Sequence, residues 1–177
     1  MPISLDKFEK EAPELLSLAK KAKFSLSKYN LENIVAEVAF VLDASGSMIR
    51  QYQQGQVQSS LERVFPLAAH FDNNQTMETW AFADKQEKLT SISFGNYKDY
   101  VNQDGGGWQQ WMQRLNSSYN NEPVVMRAII KEFFGIEAPS LEKSSSGFFG
   151  FGKKSGNENT FAPIQKPRLP IWILFIS

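Results

Sequence analysis

Apolar positions along the chain change from a helical to a strand-like spacing and back. From Leu5 to about Lys23 they recur mostly at intervals of three and four residues, which predicts an amphipathic helix that Pro13 kinks or restarts. The next run, Ile34 to Leu42, is apolar and rich in β-branched residues, which predicts a strand buried on both faces, as in a parallel sheet. The helical spacing returns from Gln51 to His70 and predicts a helix packed on that sheet, with Pro66 bending its last turn.

The second half of the chain predicts shorter elements. The pattern indicates a hairpin of two strands, Met77–Ala83 and Leu89–Phe94, and then two helical pieces, Tyr97–Val101 and Trp108–Leu115, on either side of a glycine turn. A firmer helix, Pro123–Phe134, is ended by Gly135, and Leu169–Ile176 indicates a last buried strand. This order predicts an α/β fold of Rossmann-like type, with a mostly parallel central sheet, one antiparallel edge strand and flanking helices.

Length and composition indicate one folded unit. A chain of 177 residues suits a single domain, and 42% apolar with 21% charged side chains is typical of globular proteins. Within this domain, we interpret residues 1–30 as an N-terminal helical extension. Residues 138–167, rich in glycine, serine and phenylalanine, predict a flexible loop.

Charge and cysteine usage narrow the classes of partner. Nineteen basic side chains balance nineteen acidic ones, so we expect neither nucleic acid nor a membrane as a partner. No cysteine is present, which excludes disulfides and thiolate chemistry and is compatible with a reducing compartment. Residues 1–10 lack a secretory pattern, and the late apolar run is far shorter than the roughly 20 residues of a membrane span. We therefore expect a cytoplasmic protein.

The most informative motif is the polar turn after the first predicted strand. Asp43, Ser45 and Ser47 place one carboxylate and two hydroxyls at alternate positions between a strand and a helix. Such oxygen ligands suit a hard divalent cation. Aspartate and serine are also preferred helix caps, so capping is the simpler interpretation of any one of them. The whole string after a buried strand favours a metal site.

The same residues resemble the von Willebrand factor A (vWA) domain, whose first strand ends in Asp-x-Ser-x-Ser. Further segments are similar to the bacterial tellurium-resistance (TerF-like) type of this domain. These are residues 28–31 (KYNL), 41–48 (VLDASGSM), 80–84 (WAFAD) and 121–126 (NEPVVM). The resemblance implies a metal-ion-dependent adhesion site in which Asp43, Ser45 and Ser47 hold Mg²⁺, with Mn²⁺ or Ca²⁺ as alternatives. It also implies a protein partner that supplies an acidic group, and binding rather than catalysis, in a tellurite or chemical-stress resistance system.

The sequence departs from the family pattern in two places. Tyr119 stands where the family has a second-loop threonine, and Ser117 or Ser118 would serve if the loop shifts. The family's aspartate after the last strand falls beyond Ser177, so we expect a domain incomplete at its C-terminus. An open apolar edge would favour self-association through the last strand. The alternative function is therefore a truncated structural or assembly element without metal binding.

Enzymatic interpretations fit the motif less well. The Asp43 turn also resembles that of haloacid-dehalogenase-type phosphotransferases, but Ser45 replaces the second aspartate, which serves as their general acid and base. A serine hydrolase is disfavoured because the nucleophile elbow is absent and His70, the one histidine, closes an apolar helical stretch. We expect His70, Trp108 and Trp111 to be packing residues.

Overall fold

The computed structural model describes residues 4–136 and 171–176. Its helices are α1 (Leu5–Glu11), α2 (Leu16–Lys28), α3 (Ile49–Gln53), α4 (Gln56–Phe71), α5 (Tyr100–Gln103), α6 (Trp108–Leu115) and α7 (Glu122–Phe134). Its strands are β1 (Glu37–Asp43), β2 (Glu78–Phe82), β3 (Gln86–Lys88) and β4 (Ile171–Ile176). The predicted loop at 138–167 lies outside the described residues, as do Leu169 and Pro170 of the predicted last strand.

The four strands form one sheet in the order β3-β2-β1-β4. Strand β1 pairs in parallel with both β2 and β4, whereas β2 and β3 are antiparallel. Strand β3 lies at one edge and β4 at the other edge of the described sheet, where Phe175 is 40% exposed. The predicted fold class, a mostly parallel sheet with one antiparallel edge strand, is confirmed.

Alternation along β1 distributes its side chains over two cores. Val38, Phe40 and Leu42 face the larger core, which includes buried residues of α1, α2, α4 and α6. Ala39 and Val41 face the smaller core, to which α7 contributes Val125 and Ile129. A strand covered on both faces must be apolar throughout, which explains the continuous run seen in the sequence.

The N-terminal helical pattern is confirmed, with a restart at Pro13. Helix α1 ends at Glu11, a short 3₁₀ turn begins at Pro13, and α2 continues to Lys28. The helix predicted from Gln51 to His70 is interrupted, because Gly55 takes a left-handed conformation with φ of 70° between α3 and α4. Helix α4 then continues through Pro66 to Phe71.

The hairpin prediction is correct, but its second strand lies elsewhere. The backbone N–H of Ala83 donates to the carbonyl of Lys85, and this tight turn sets Phe82 opposite Gln86. Strand β2 therefore pairs with β3, a short edge strand whose polar residues gave no strand pattern in the sequence. The predicted strand 89–94 retains only an isolated bridge between Met77 and Ile92.

Residues expected to pack in the interior do so. Trp108 is 7% exposed and Trp111 is fully buried. His70 is 8% exposed, and its Nε2 lies 3.0 Å from the carbonyl oxygen of Glu32. Its burial and this contact agree with the expected packing role of His70. Among the described residues, no helix is both long and apolar enough to span a bilayer.

Carboxylates gather at the amino ends of the two central strands, away from the Asp43 turn. Burial raises the pKa of Glu37, and the charges of Asp72 and Glu78 raise it further. The folded state thus binds this proton more tightly than the unfolded chain does, so stability falls as pH rises from the ordinary value of 4.5 through the raised value.

We expect Glu37→Gln to melt above the wild type at neutral pH, because it removes this partly buried charge. The gain should be below about 1 kcal/mol, since solvent screens the partly exposed carboxyl, and it should vanish at acidic pH. Melting curves at both pH values measure it, with Glu9→Gln on the exposed face of α1 as the control. A lower melting temperature for Glu37→Gln at neutral pH would contradict the prediction.

Candidate metal-binding site

Asp43 is held at the carboxyl end of β1, a central strand of the sheet. Its side chain is 2% exposed, and the Ser45 backbone N–H donates to its Oδ1 over 2.7 Å. The next residue, Ala44, donates its N–H to the carbonyl of Phe82 at 2.7 Å, so the strand pairing extends into the turn. The carboxylate therefore has a fixed orientation in the fold.

The two serines of the turn converge. Ser45 is 4% exposed, Ser47 is exposed, and their Oγ atoms lie 2.9 Å apart. The turn closes when the Met48 N–H donates to the carbonyl of Ser45 at 3.0 Å, which opens a 3₁₀ turn before α3. Neither Ser45 nor Met48 caps these helices with its side chain. Simple helix capping therefore does not account for Ser45.

The buried Tyr52 stabilises the turn from the interior of the domain. Its hydroxyl donates to the backbone carbonyl of Asp43 at 3.0 Å, and its ring stacks on Trp108 with centroids 5.2 Å apart. Burial, with a further contribution from the Asp43 charge, raises the pKa of the Tyr52 phenol far above its ordinary value. The phenol therefore remains a hydrogen-bond donor throughout the physiological pH range.

A second loop, residues 116–121, faces the Asp43 turn. The Gly46 N–H donates to the carbonyl of Ser117 at 2.8 Å, and the Asn121 N–H donates to the carbonyl of Ala83 at 2.8 Å. Between these anchors, Asn120 Nδ2 donates to Asp43 Oδ2 at 2.8 Å. Each oxygen of the Asp43 carboxylate thus accepts a hydrogen bond from an N–H group.

Asn120 was not among the residues expected from the sequence. Ser117, Ser118 and Tyr119 were the second-loop candidates, whereas the residue in contact with Asp43 lies one position beyond the aligned Tyr119. Ser117 contributes its backbone carbonyl to the turn, Ser118 is exposed, and Tyr119 is 63% exposed. The signal that could have found it was an amide side chain in a loop expected at the same sheet edge.

Asp84, which follows β2, contacts the second loop as well. Its Oδ2 accepts a hydrogen bond from Asn116 Nδ2 at 3.0 Å, and its backbone carbonyl accepts one from Asn121 Nδ2 at 3.3 Å. Asp84 therefore ties the second loop to the end of β2.

The side chains of the turn fit a hard divalent cation. Asp43, Ser45 and Ser47 present only oxygen donors, and the serine hydroxyls already lie within contact distance of each other. Within residues 4–136 and 171–176, no group of three or more His, Cys, Asp or Glu side chains could hold a metal. Asp43 is the one carboxylate of this turn, so a cation held by Asp43, Ser45 and Ser47 would retain a net positive charge.

A parallel sheet with a polar turn at the carboxyl end of its central strand defines this protein as a vWA-type α/β domain. The family profile described as "vWA found in TerF C terminus" matches residues 35–141, more than half of the chain. The chain belongs to this vWA-TerF-like family, and the domain is of the tellurium-resistance-associated type.

Comparison with curated proteins gives one named similarity. The uncharacterized protein YcbR of Bacillus subtilis (strain 168) is 30% identical over 146 residues, which cover 82% of this chain and 57% of that protein. The chain thus spans little more than half of the length of this relative. No solved structure matches the chain.

Proposed function

We propose that this domain is a metal-dependent protein-binding module of a bacterial tellurite or chemical-stress resistance system, acting in the cytoplasm. Asp43, Ser45 and Ser47 would hold Mg²⁺, with Mn²⁺ or Ca²⁺ as substitutes, and a partner's acidic side chain would complete the coordination shell. The observation that carries this proposal is one turn at the carboxyl end of the central strand, in which two serine hydroxyls lie 2.9 Å apart and the buried Asp43 carboxylate accepts the Ser45 backbone N–H.

Charge explains why the partner should be acidic. A divalent cation that is bound by one carboxylate keeps one positive charge, and its remaining positions would be filled by water. Exchange of a water for a partner carboxylate neutralises that charge, which makes association reversible and dependent on the cation. The bound cation supplies the electrostatic attraction, while the chain's own residues fix its position.

Binding without catalysis accords with the same side chains. A phosphotransferase of this general design needs a second carboxylate two residues after the first, to move a proton. Here Ser45 stands at that position, and its hydroxyl is hydrogen-bonded to Ser47. We therefore propose no reaction at this turn.

A magnesium titration of the wild type and of two double serine-to-alanine variants tests the proposal. We expect excess Mg²⁺ to raise the melting temperature of the wild type, because a cation that binds only the folded state stabilises it. Ser45→Ala with Ser47→Ala should abolish most of this rise. Ser117→Ala with Ser118→Ala is the matched control and should retain it.

The result separates the two functional alternatives. A wild type whose melting and calorimetry are unchanged by Mg²⁺, Mn²⁺ and Ca²⁺ would exclude the metal-dependent mechanism. The alternative, a structural or assembly element that pairs through β4, would then be favoured, since β4 lies at an edge of the described sheet.

A further inference from the structure

We infer that Asn120 is the second-loop residue of this metal site. In the structure its amide nitrogen holds the Asp43 carboxylate; we propose that the amide turns over when a cation binds, presenting its carbonyl oxygen. The inference rests on the proposed function and assigns to Asn120 a role that the family pattern places at the position of Tyr119.

The contact itself is the first argument. Asn120 Nδ2 lies 2.8 Å from Asp43 Oδ2, whereas the other carboxylate oxygen is engaged by the Ser45 backbone N–H at 2.7 Å. The Ser45 N–H belongs to the backbone of the turn, so Oδ2 is the oxygen whose partner can change. A cation that approaches Oδ2 from the side of Asn120 displaces its N–H group, because an N–H donor cannot ligate a metal.

The chemistry of the amide makes that displacement productive. An asparagine side chain carries a carbonyl oxygen and an NH₂ group on the same carbon, and it exchanges their positions by rotating half a turn. Amide carbonyl oxygens are ordinary ligands of hard divalent cations. One rotation therefore converts a donor that neutralises the carboxylate into an oxygen ligand beside it.

The loop permits this rotation without moving its backbone. The carbonyl of Ser117 is fixed by Gly46, and the N–H of Asn121 is fixed by Ala83, each over 2.8 Å. These anchors lie on both sides of Asn120, whose own side chain is exposed apart from its contact with Asp43. The backbone can thus remain in place while the amide turns.

Tyr119 lacks these properties. Its side chain is 63% exposed, and among the described residues no hydrogen bond joins it to the Asp43 turn. A phenol is also bulkier than the threonine that it replaces. Tyr119 is therefore the matched control for Asn120: an adjacent residue in the same loop, at the position that alignment would select.

Calorimetric titration with Mg²⁺, repeated with Mn²⁺, measures the contribution of each residue. We expect Asn120→Ala to weaken Mg²⁺ binding by about tenfold or more, the range seen when supporting residues of metal sites are removed. Tyr119→Ala should bind as the wild type does. Asn120→Asp places a second carboxylate beside Asp43, so it should melt below the wild type without Mg²⁺ and bind Mg²⁺ more tightly.

The rotation has its own spectroscopic signature. The side-chain NH₂ signal of Asn120, identified in a nitrogen-15 correlation spectrum by its loss in Asn120→Ala, should shift when Mg²⁺ is added, because its hydrogen bond to Asp43 breaks. The same signal should not respond in Asp43→Ala. This readout follows the Asn120 amide itself, independently of the thermal stability of the domain.

The outcomes distinguish the two levels of inference. If the wild type binds Mg²⁺ and Asn120→Ala binds it equally well, the role of Asn120 is overturned while the proposed function stands. An equal loss in Tyr119→Ala, or an NH₂ signal that ignores bound Mg²⁺, would also overturn it. A wild type that binds none of the cations removes the proposed function and this inference together.

Discussion

Replacing Asp43 with alanine is expected to make the domain insensitive to Mg²⁺. For the wild type, a cation present at about 100 times its dissociation constant adds roughly 2.7 kcal/mol of stability. That gain corresponds to a melting temperature higher by roughly 5–10 °C for a domain of this size. Because Asp43 is the only carboxylate that we place at the turn, its loss should reduce the shift to zero.

The substitution should also weaken the protein before any cation is added. The Ser45 backbone N–H and Asn120 Nδ2 both donate to the buried carboxylate and would lose their acceptor. An unsatisfied buried donor costs about 1–3 kcal/mol, and the exposed Asn120 can turn to water instead. Calorimetry and melting with and without Mg²⁺ separate this structural cost from the loss of binding.

Asp84→Ala is the appropriate control for Asp43→Ala. Asp84 is a carboxylate that follows β2 at the same edge of the sheet, and it contacts Asn116 rather than the Asp43 turn. It should lose some stability but keep the Mg²⁺ response. Retention of the full response by Asp43→Ala, or its loss from Asp84→Ala alone, would place the cation elsewhere.

Gly107→Ala is expected to cause the largest loss of stability. Gly107 has φ of 84° and ψ of 174°, a backbone conformation that is essentially restricted to glycine. A Cβ atom there would lie 2.6 Å from the carbonyl oxygen of Asn102, a backbone atom that cannot move aside as a side chain can. Conformational strain and overpacking together predict a loss of about 2–4 kcal/mol.

Gly135→Ala isolates the steric part of that loss. Gly135 ends α7 with φ of 66°, and a Cβ atom there would meet nothing within 4 Å. Only the left-handed backbone is then penalised, at a cost of roughly 1–2 kcal/mol. Chemical denaturation of both variants measures the difference, and equal losses would show that the Asn102 contact relaxes freely.

The substitution Gly107→Ala should also affect the Asp43 turn. Gly107 immediately precedes α6, whose Trp108 stacks on Tyr52, and Tyr52 in turn donates to the carbonyl of Asp43. Helix α6 also leads into the second loop at Asn116. A backbone shift at Gly107 therefore displaces both sides of the candidate site, so the variant should respond more weakly to Mg²⁺.

Local patterns in the sequence were sufficient for the elements that bury apolar surface. Strand β1 was recognisable because both of its faces are covered, and α6 and Gly135 lie where periodicity and turn chemistry indicated. The break at Gly55 was less visible, because the residues on both sides of it continue a helical pattern. Strand β3 escaped because an exposed edge strand of three residues has no apolar signature.

The residues of the candidate site also differ in whether a local sequence pattern can select them. Asp43, Ser45 and Ser47 are close in sequence, and one turn brings them together, so a local motif suffices to select them. Asn120 reaches Asp43 across 77 positions of the chain. Its placement depends on where the second loop is anchored, which is a property of the tertiary structure and not of the residues near Asn120.

The second loop is held by main-chain atoms, through Ser117 to Gly46 and through Asn121 to Ala83. Hydrogen bonds between main-chain atoms depend little on the identity of the side chains that lie between them. A substitution in this loop can therefore change which side chain faces Asp43 while the backbone stays in place. The aligned position is that of Tyr119, whereas the side chain in contact with Asp43 is that of Asn120. Candidate ligands in this family should therefore be chosen by their contacts as well as by their aligned position.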